Sequence, residues 1–113
     1  KTLVTRGASK ANYVFVVPVL AELDLKKAAK TVGEKSIELI HVKELTPLTG
    51  YVRGGCSPIG MKKRFKTVVD ASAQAHAAIL VSAGKIGRQV ELSPDALVGL
   101  IGGSFASVVK GDE

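Results

Sequence analysis

The sequence predicts an α+β fold: a mixed, mostly antiparallel, barrel-like sheet with helices on its flanks. Three observations carry this expectation. Candidate strands outnumber candidate helices. Neighbouring strands are joined by short glycine-bearing connections of hairpin length. The helical stretches are brief, each framed by its own start and stop residues. A doubly wound sheet, which needs strands alternating with long helices, finds no support. At 113 residues the chain makes one domain, residues 1–113, and its 46% hydrophobic and 23% charged content excludes wholesale disorder.

Each element follows from local chemistry. Leu3 to Arg6 reads as a short strand, Gly7-Ala8-Ser9-Lys10 as a connection, and Ala11 to Val19 as a buried strand of β-branched and aromatic residues. Pro18 places the end of that strand at an edge or exit. Asp24 to Gly33 is a helix with Asp24 as N-cap and Gly33 as the left-handed terminator. Its Leu25, Ala28, Ala29 and Val32 form one apolar stripe, opposite Lys26, Lys27 and Lys30. Ser36 to Ile40 is a short strand, and His41 to Leu48 a weak helical turn limited by Pro47. The stretch from Thr49 to Gly60 carries too much glycine for an element interior, although Tyr51-Val52 could open a strand. Arg64 to Asp70 is a strand and Ala71 to His76 a helical or irregular link. Ala77 to Ala83 and Arg88 to Leu92 form a hairpin through Gly84-Lys85-Ile86-Gly87. Ser93-Pro94-Asp95 opens a helix that runs to about Ile101 and stops at Gly102-Gly103. Ser104 to Val109 is the last strand, and Gly111-Asp112-Glu113 a frayed tail.

Composition removes several function classes. One cysteine makes neither an internal disulfide framework nor a zinc site of several thiolates, so no metal and no cofactor are expected. The two histidines, His41 and His76, lack neighbours at ligand spacing and read as structural. Gly54-Gly55 does not continue into a G-K-[ST] string, and no G-x-G-x-x-G follows the first strand, so neither phosphate-loop signature is present. The longest apolar run, Val14 to Ala21, is far too short to span a membrane. The expected setting is soluble, reduced and cytoplasmic. The chain opens on Lys1 within a strand pattern, so a segment upstream is expected to be missing.

Two features could carry chemistry. The net charge is +6, and Arg53, Lys62, Lys63, Arg64 and Lys66 lie in the acid-free stretch between Leu45 and Val69. Such a run serves either as a solvated face or as a platform for a phosphate backbone. Within the same stretch stands Gly54-Gly55-Cys56-Ser57-Pro58-Ile59-Gly60. Glycine lets a backbone approach a ligand and present amide donors, which suits a carbonyl oxygen acquiring charge during acyl transfer. A purely structural turn uses the same residues.

The exact string narrows these alternatives. Gly50-Tyr51, Gly54 to Gly60 and Lys62-Lys63 closely resemble the signature of the YbaK/EbsC family, bacterial deacylases of mischarged tRNA related to the editing domain of prolyl-tRNA synthetases. The resemblance continues in order through Lys1-Thr2-Leu3-Val4, Leu25 to Lys30, Val81 to Gly87 and Glu91 to Leu97, so it spans essentially the whole chain. It implies hydrolysis of the ester between a wrong amino acid and the terminal ribose. The G-G-x-S-P loop resembles the branch acting on Cys-tRNA(Pro), where the substrate's own thiol assists and neither metal nor protein nucleophile takes part. Alternatives are an Ala-tRNA(Pro) deacylase, or a module that binds tRNA or a synthetase without activity.

The roles carried by the resemblance are specific. Lys1, Gly54 and Gly55 match catalytic positions: an ammonium, and backbone donors aimed at the substrate carbonyl and sugar. Thr2, Ser57, Pro58 and Ser82 match substrate-binding positions, and Lys62, Lys63 and Arg64 would hold tRNA phosphates. Gln89 stands where some relatives carry an acid. Cys56 occupies a variable loop position and is expected to be inert, and Met61 to pack. The implied partners are tRNA(Pro) and prolyl-tRNA synthetase, with no membrane.

Overall fold

β2 (Asn12–Val16) is the centre of the molecule because both of its faces are apolar. Phe15 and the following Val17 point to one side, Val14 and Val16 to the other, and all four are buried. A strand buried on both faces needs partners on both edges, and β2 has them. It pairs antiparallel with β1 (Thr2–Gly7) and parallel with β4 (Lys66–Asp70). β3 (Ile37–Leu39) extends the sheet beyond β1 and β7 (Ser104–Ala106) beyond β4, giving the order β3-β1-β2-β4-β7. β5 (Ile79–Ser82) and β6 (Gln89–Leu92) form a separate antiparallel hairpin. This computed structural model describes residues 1–111. Asp112 and Glu113 of the expected tail lie outside the described residues.

The α+β expectation is met. Three of the five strand pairings are antiparallel, but the five-stranded sheet is open among the described residues and does not close into a barrel. The two parallel pairings join strands roughly fifty and forty residues apart, a distance that no hairpin signal in the sequence can report.

Helix α1 (Leu25–Val32) covers the Phe15 face. It starts where Asp24 accepts the amides of Lys26 and Lys27, and it ends where Gly33 takes a φ of 76°. Helix α3 (Pro94–Ile101) covers part of the opposite face through Leu97 and Ile101, with Ser93 capping the Ala96 amide. Helix α2 (Val42–Thr49) is as long as the expected His41–Leu48 turn, shifted by one residue, and runs through Pro47. Proline removes only one donor from so short a helix. The Thr49 hydroxyl donates to the Leu45 carbonyl at 2.7 Å in the same last turn. Arg6 of β1 pins α2 to the sheet through Glu44, at 2.9 Å.

Several boundaries move. β4 begins at Lys66 rather than Arg64, and β7 stops at Ala106, while Val108 and Val109 still enter the core. Tyr51-Val52 does not form a strand. The Thr46 hydroxyl donates to the Tyr51 carbonyl, and the Tyr51 hydroxyl donates to the Ile59 carbonyl, so the segment is tied to its own loop.

Candidate active site

The glycine-rich segment does not act as one unit; alternate residues face different neighbours. Gly54 and Cys56 line a cavity of about 200 Å³ together with Lys1, Thr2, Ser82 and Gln89. Gly55, between them, turns away and packs on the β5–β6 turn. A Cβ there would lie 3.1 Å from the Ile86 amide nitrogen and 3.2 Å from the Lys85 carbonyl carbon. The Gly55 amide donates to the Val52 carbonyl at 3.0 Å, so it is not available to a ligand. The amides of Gly54 and Cys56 have no such partner among the described residues. The candidate donors are therefore Gly54 and Cys56 rather than the adjacent glycine pair. No sequence signal separates the two glycines, because the difference arises from a turn thirty residues away in the chain.

The remaining sequence-derived residues divide. Lys1 is held at the cavity by pairing beyond the end of the β1–β2 ladder, where its carbonyl accepts the Val17 amide at 2.9 Å. Ser82 and Gln89 are directly opposed in the β5–β6 hairpin, and both face the cavity. Ser57 is buried and lines neither this cavity nor the next; its hydroxyl accepts the Ile59 amide at 3.1 Å and shapes the loop. Pro58, Lys63 and Arg64 line a second cavity of about 320 Å³ with Phe65, Leu100 and Ile101. Arg64 also donates to the Leu100 carbonyl at 3.4 Å, at the C-terminal end of α3 where a cation is favoured. Lys62 lies along Gly50 and lines neither cavity.

Cys56 is buried in the wall of the small cavity, a place its sequence context did not announce. Burial pushes its thiol pKa up, outweighing a hydrogen bond with Thr49. A thiol in that state is a poor nucleophile near neutral pH. Met61, as expected, packs in the cluster around Val4, Val14 and Cys56. No group of three or more potential metal-ligating side chains occurs among the described residues.

A larger cavity of about 400 Å³ adjoins the small one, and Lys1, Val19 and Leu80 border both. Its walls are mostly aliphatic. Its buried carboxylate, Asp70, is occupied internally: one oxygen accepts the Val108 amide at 2.9 Å, the other the Ser72 amide at 3.2 Å and hydroxyl at 2.5 Å. Asp70 thus fixes the end of β4 and the following 3-10 turn, which form one wall of this cavity. No helix among the described residues is long and apolar enough to cross a membrane.

Comparison with known proteins bears on what this arrangement handles. Residues 1–100 match the family model described as "Aminoacyl-tRNA editing domain". The chain is 54% identical over 108 residues to "Putative Cys-tRNA(Pro)/Cys-tRNA(Cys) deacylase EbsC" of Enterococcus faecalis, covering 96% of this chain and 66% of that protein. The chain thus spans just under two thirds of that relative's length. Among solved structures it is similar to "a putative trans-editing enzyme for prolyl tRNA synthetase", with 28% identity, a TM-score of 0.88, and 98% of this chain against 69% of that one. It is also similar to "hypothetical protein APE2540", with 26% identity, a TM-score of 0.89, and 97% against 73% coverage.

Proposed function

This chain belongs to the aminoacyl-tRNA editing domain family, and on that premise we propose that it hydrolyses mischarged aminoacyl-tRNA in trans, with Cys-tRNA(Pro) as its preferred substrate. The observation that carries the reading is the small cavity, which Lys1, Gly54 and Cys56 line from two distant parts of the chain, the Gly54 and Cys56 amides having no hydrogen-bond partner among the described residues. At about 200 Å³ it lies below the roughly 300–1,000 Å³ of drug-sized ligand sites. It would take a small acyl group and leave the nucleic acid outside.

In the proposed reaction a water oxygen adds to the ester carbonyl carbon, and the carbonyl oxygen becomes an oxyanion. The Gly54 and Cys56 amides and the Lys1 ammonium stabilise that charge. The bond from carbon to the ribose oxygen then breaks, the sugar oxygen takes a proton, and free amino acid and intact tRNA leave. The chain's contribution is electrostatic and positional. Donors already fixed in place strengthen as charge develops, and removing one typically costs on the order of 10²–10³ in rate. Ser82 and Thr2 border the acyl group or sugar, and Lys62, Lys63 and Arg64 neutralise phosphates outside the cavity. Prolyl-tRNA synthetase is the partner suggested by the solved trans-editing relative, and a cytoplasmic setting goes with it.

The test is release of amino acid from a panel of Cys-tRNA(Pro), Ala-tRNA(Pro) and Pro-tRNA(Pro). Fastest release of cysteine is expected. Preferential release of alanine would reassign the substrate, and no release above the buffer rate from any member would overturn the hydrolase reading.

A further inference from the structure

The β5–β6 turn carries a basic, exposed surface directly beside the small cavity. Ser82 and Gln89 close the hairpin and line the cavity, and Lys85, Ile86 and Arg88 stand just beyond them, all exposed. The turn is seated on the glycine-rich loop by close approach of small residues. Ile86 and Lys85 back onto Gly55, and the Ile86 side chain lies 3.6 Å from where a Gly54 Cβ would be. On the turn's other flank, Gly84 has a φ of 98° and faces the Tyr51 ring, where a Cβ would lie 2.9 Å from Cε1. The turn is braced internally as well: the Ala83 amide donates to the Arg88 carbonyl and the Arg88 amide to the Lys85 carbonyl, at 2.9 and 3.0 Å.

This packing joins charges that are far apart in sequence. Arg53 precedes Gly54, Arg88 precedes Gln89, and Lys85 touches Gly55, so the cavity-lining backbone carries cations on both sides of the seam. None of the three is in an ion pair among the described residues. Between residues 45 and 90 the only acid is Asp70, which is buried and internally bonded. Ile86, 70% exposed at the apex of the turn, is a large apolar side chain left uncovered in the middle of these cations. Cations around an exposed apolar face match an unpaired nucleic-acid strand, whose phosphates alternate with base faces.

We propose that the β5–β6 turn is an anchor for the unpaired end of the substrate RNA, with Lys85, Arg88 and Arg53 holding its phosphates and Ile86 packing under a base as the ester enters the small cavity. This rests on the aminoacyl-tRNA reading and adds to it a surface distinct from Lys62, Lys63 and Arg64. It assigns to the turn the unpaired nucleotides next to the ester and not the duplex of the acceptor stem.

The experiment measures binding of uncharged tRNA, intact or trimmed of its three unpaired terminal nucleotides, by fluorescence titration at several salt concentrations. The double variant Lys85→Gln/Arg88→Gln removes both charges and keeps the turn glycines, and circular dichroism checks its fold. It should bind intact tRNA roughly tenfold or more weakly, with the salt slope shallower by about 1.4 for two lost single-strand contacts. It should bind trimmed tRNA as the unaltered chain does. Equal loss on both RNAs, or loss on neither, overturns the proposal. Terminus-dependent binding without ester cleavage would support the anchor while overturning the hydrolase reading. Cleavage with unaltered affinity in the variant would do the reverse.

Discussion

The two cavities beside the glycine-rich loop differ in what their polar groups are free to do. In the small one, Lys1 is in no ion pair and the Gly54 and Cys56 amides are unpartnered among the described residues. In the second, Arg64 donates to the Leu100 carbonyl, Lys63 is in no ion pair among the described residues, and the walls around them are aliphatic and aromatic. Uncommitted donors can respond to charge that develops during a reaction, whereas committed ones stabilise the fold. One loop therefore does two jobs. Its residues 54 and 56 line the small cavity, and Pro58, Lys63, Arg64 and Phe65 line the second, between β4 and α3.

Substitutions can break this contrast. The largest effect is expected at Gly54, whose φ of 87° strains any side-chain-bearing residue by about 1–2 kcal/mol. Gly54→Ala should shift the amide donor and lower deacylation of Cys-tRNA(Pro) on the order of 10²-fold. An unaltered rate would remove Gly54 from the site. On the other side, Gly103 packs against two residues of the second cavity's wall. An added Cβ would lie 3.0 Å from the Thr67 carbonyl oxygen and 3.4 Å from the Ile101 side chain. Gly103→Ala should therefore destabilise the fold by about 1–3 kcal/mol, read as a lower Tm, while the folded variant keeps the rate of ester cleavage measured for the unaltered chain. A variant with wild-type Tm but impaired chemistry would reverse the division between the two cavities.

Smaller effects sharpen it. Lys62→Ala/Lys63→Ala should reduce tRNA affinity for correctly and wrongly charged tRNA alike, and make the salt slope shallower by about 0.7–0.9 per phosphate contact. An unchanged slope would make these lysines a solvated face. Glu34 serves as a control away from both cavities. Its carboxylate accepts the Ser9 hydroxyl at 2.5 Å and the Tyr13 hydroxyl at 2.6 Å, and these bonds hold its pKa below the ordinary glutamate value. A depressed folded-state pKa contributes stability above the ordinary value of 4.5, and that contribution is lost as pH falls through the lower one. Glu34→Gln should flatten the loss of Tm in this acid range and leave catalysis at neutral pH alone. The least effect is expected from Cys56→Ser, which keeps the backbone amide; activity should stay within about threefold, because a buried thiol with a raised pKa supplies no nucleophile. Alkylation of Cys56 at pH 8 should correspondingly be slower than that of a free thiol.

What the sequence makes legible is what local chemistry decides. Asp24 and Gly33 bound α1 because a cap and a left-handed terminator act within one turn, and Ser93-Pro94 opens α3 for the same reason. The parallel neighbour of β2 is beyond reach, since β4 is chosen by burial on both faces and not by any adjacent signal. Lys1, Thr2, Gly54 and Ser82, singled out in the sequence by the family resemblance, line the small cavity together. Gly55 and Ser57 belong to the same string, yet they face the β5–β6 turn and the loop's own backbone. A contiguous string joins residues that line a cavity and residues that keep the loop's shape, and only packing separates the two. Arg64 shows the same limit: as sequence it is one of five clustered cations, while in the fold its guanidinium meets the end of α3.

On the proposed function, ester cleavage belongs to the small cavity. This is tested most directly by single-turnover deacylation of saturating Cys-tRNA(Pro) by two variants, Lys1→Ala and Arg64→Ala, one from each cavity. Lys1→Ala should slow ester cleavage by about 10²-fold or more, while Arg64→Ala should cleave at the unaltered rate once bound. Normal cleavage by Lys1→Ala together with a slow chemical step in Arg64→Ala would contradict it.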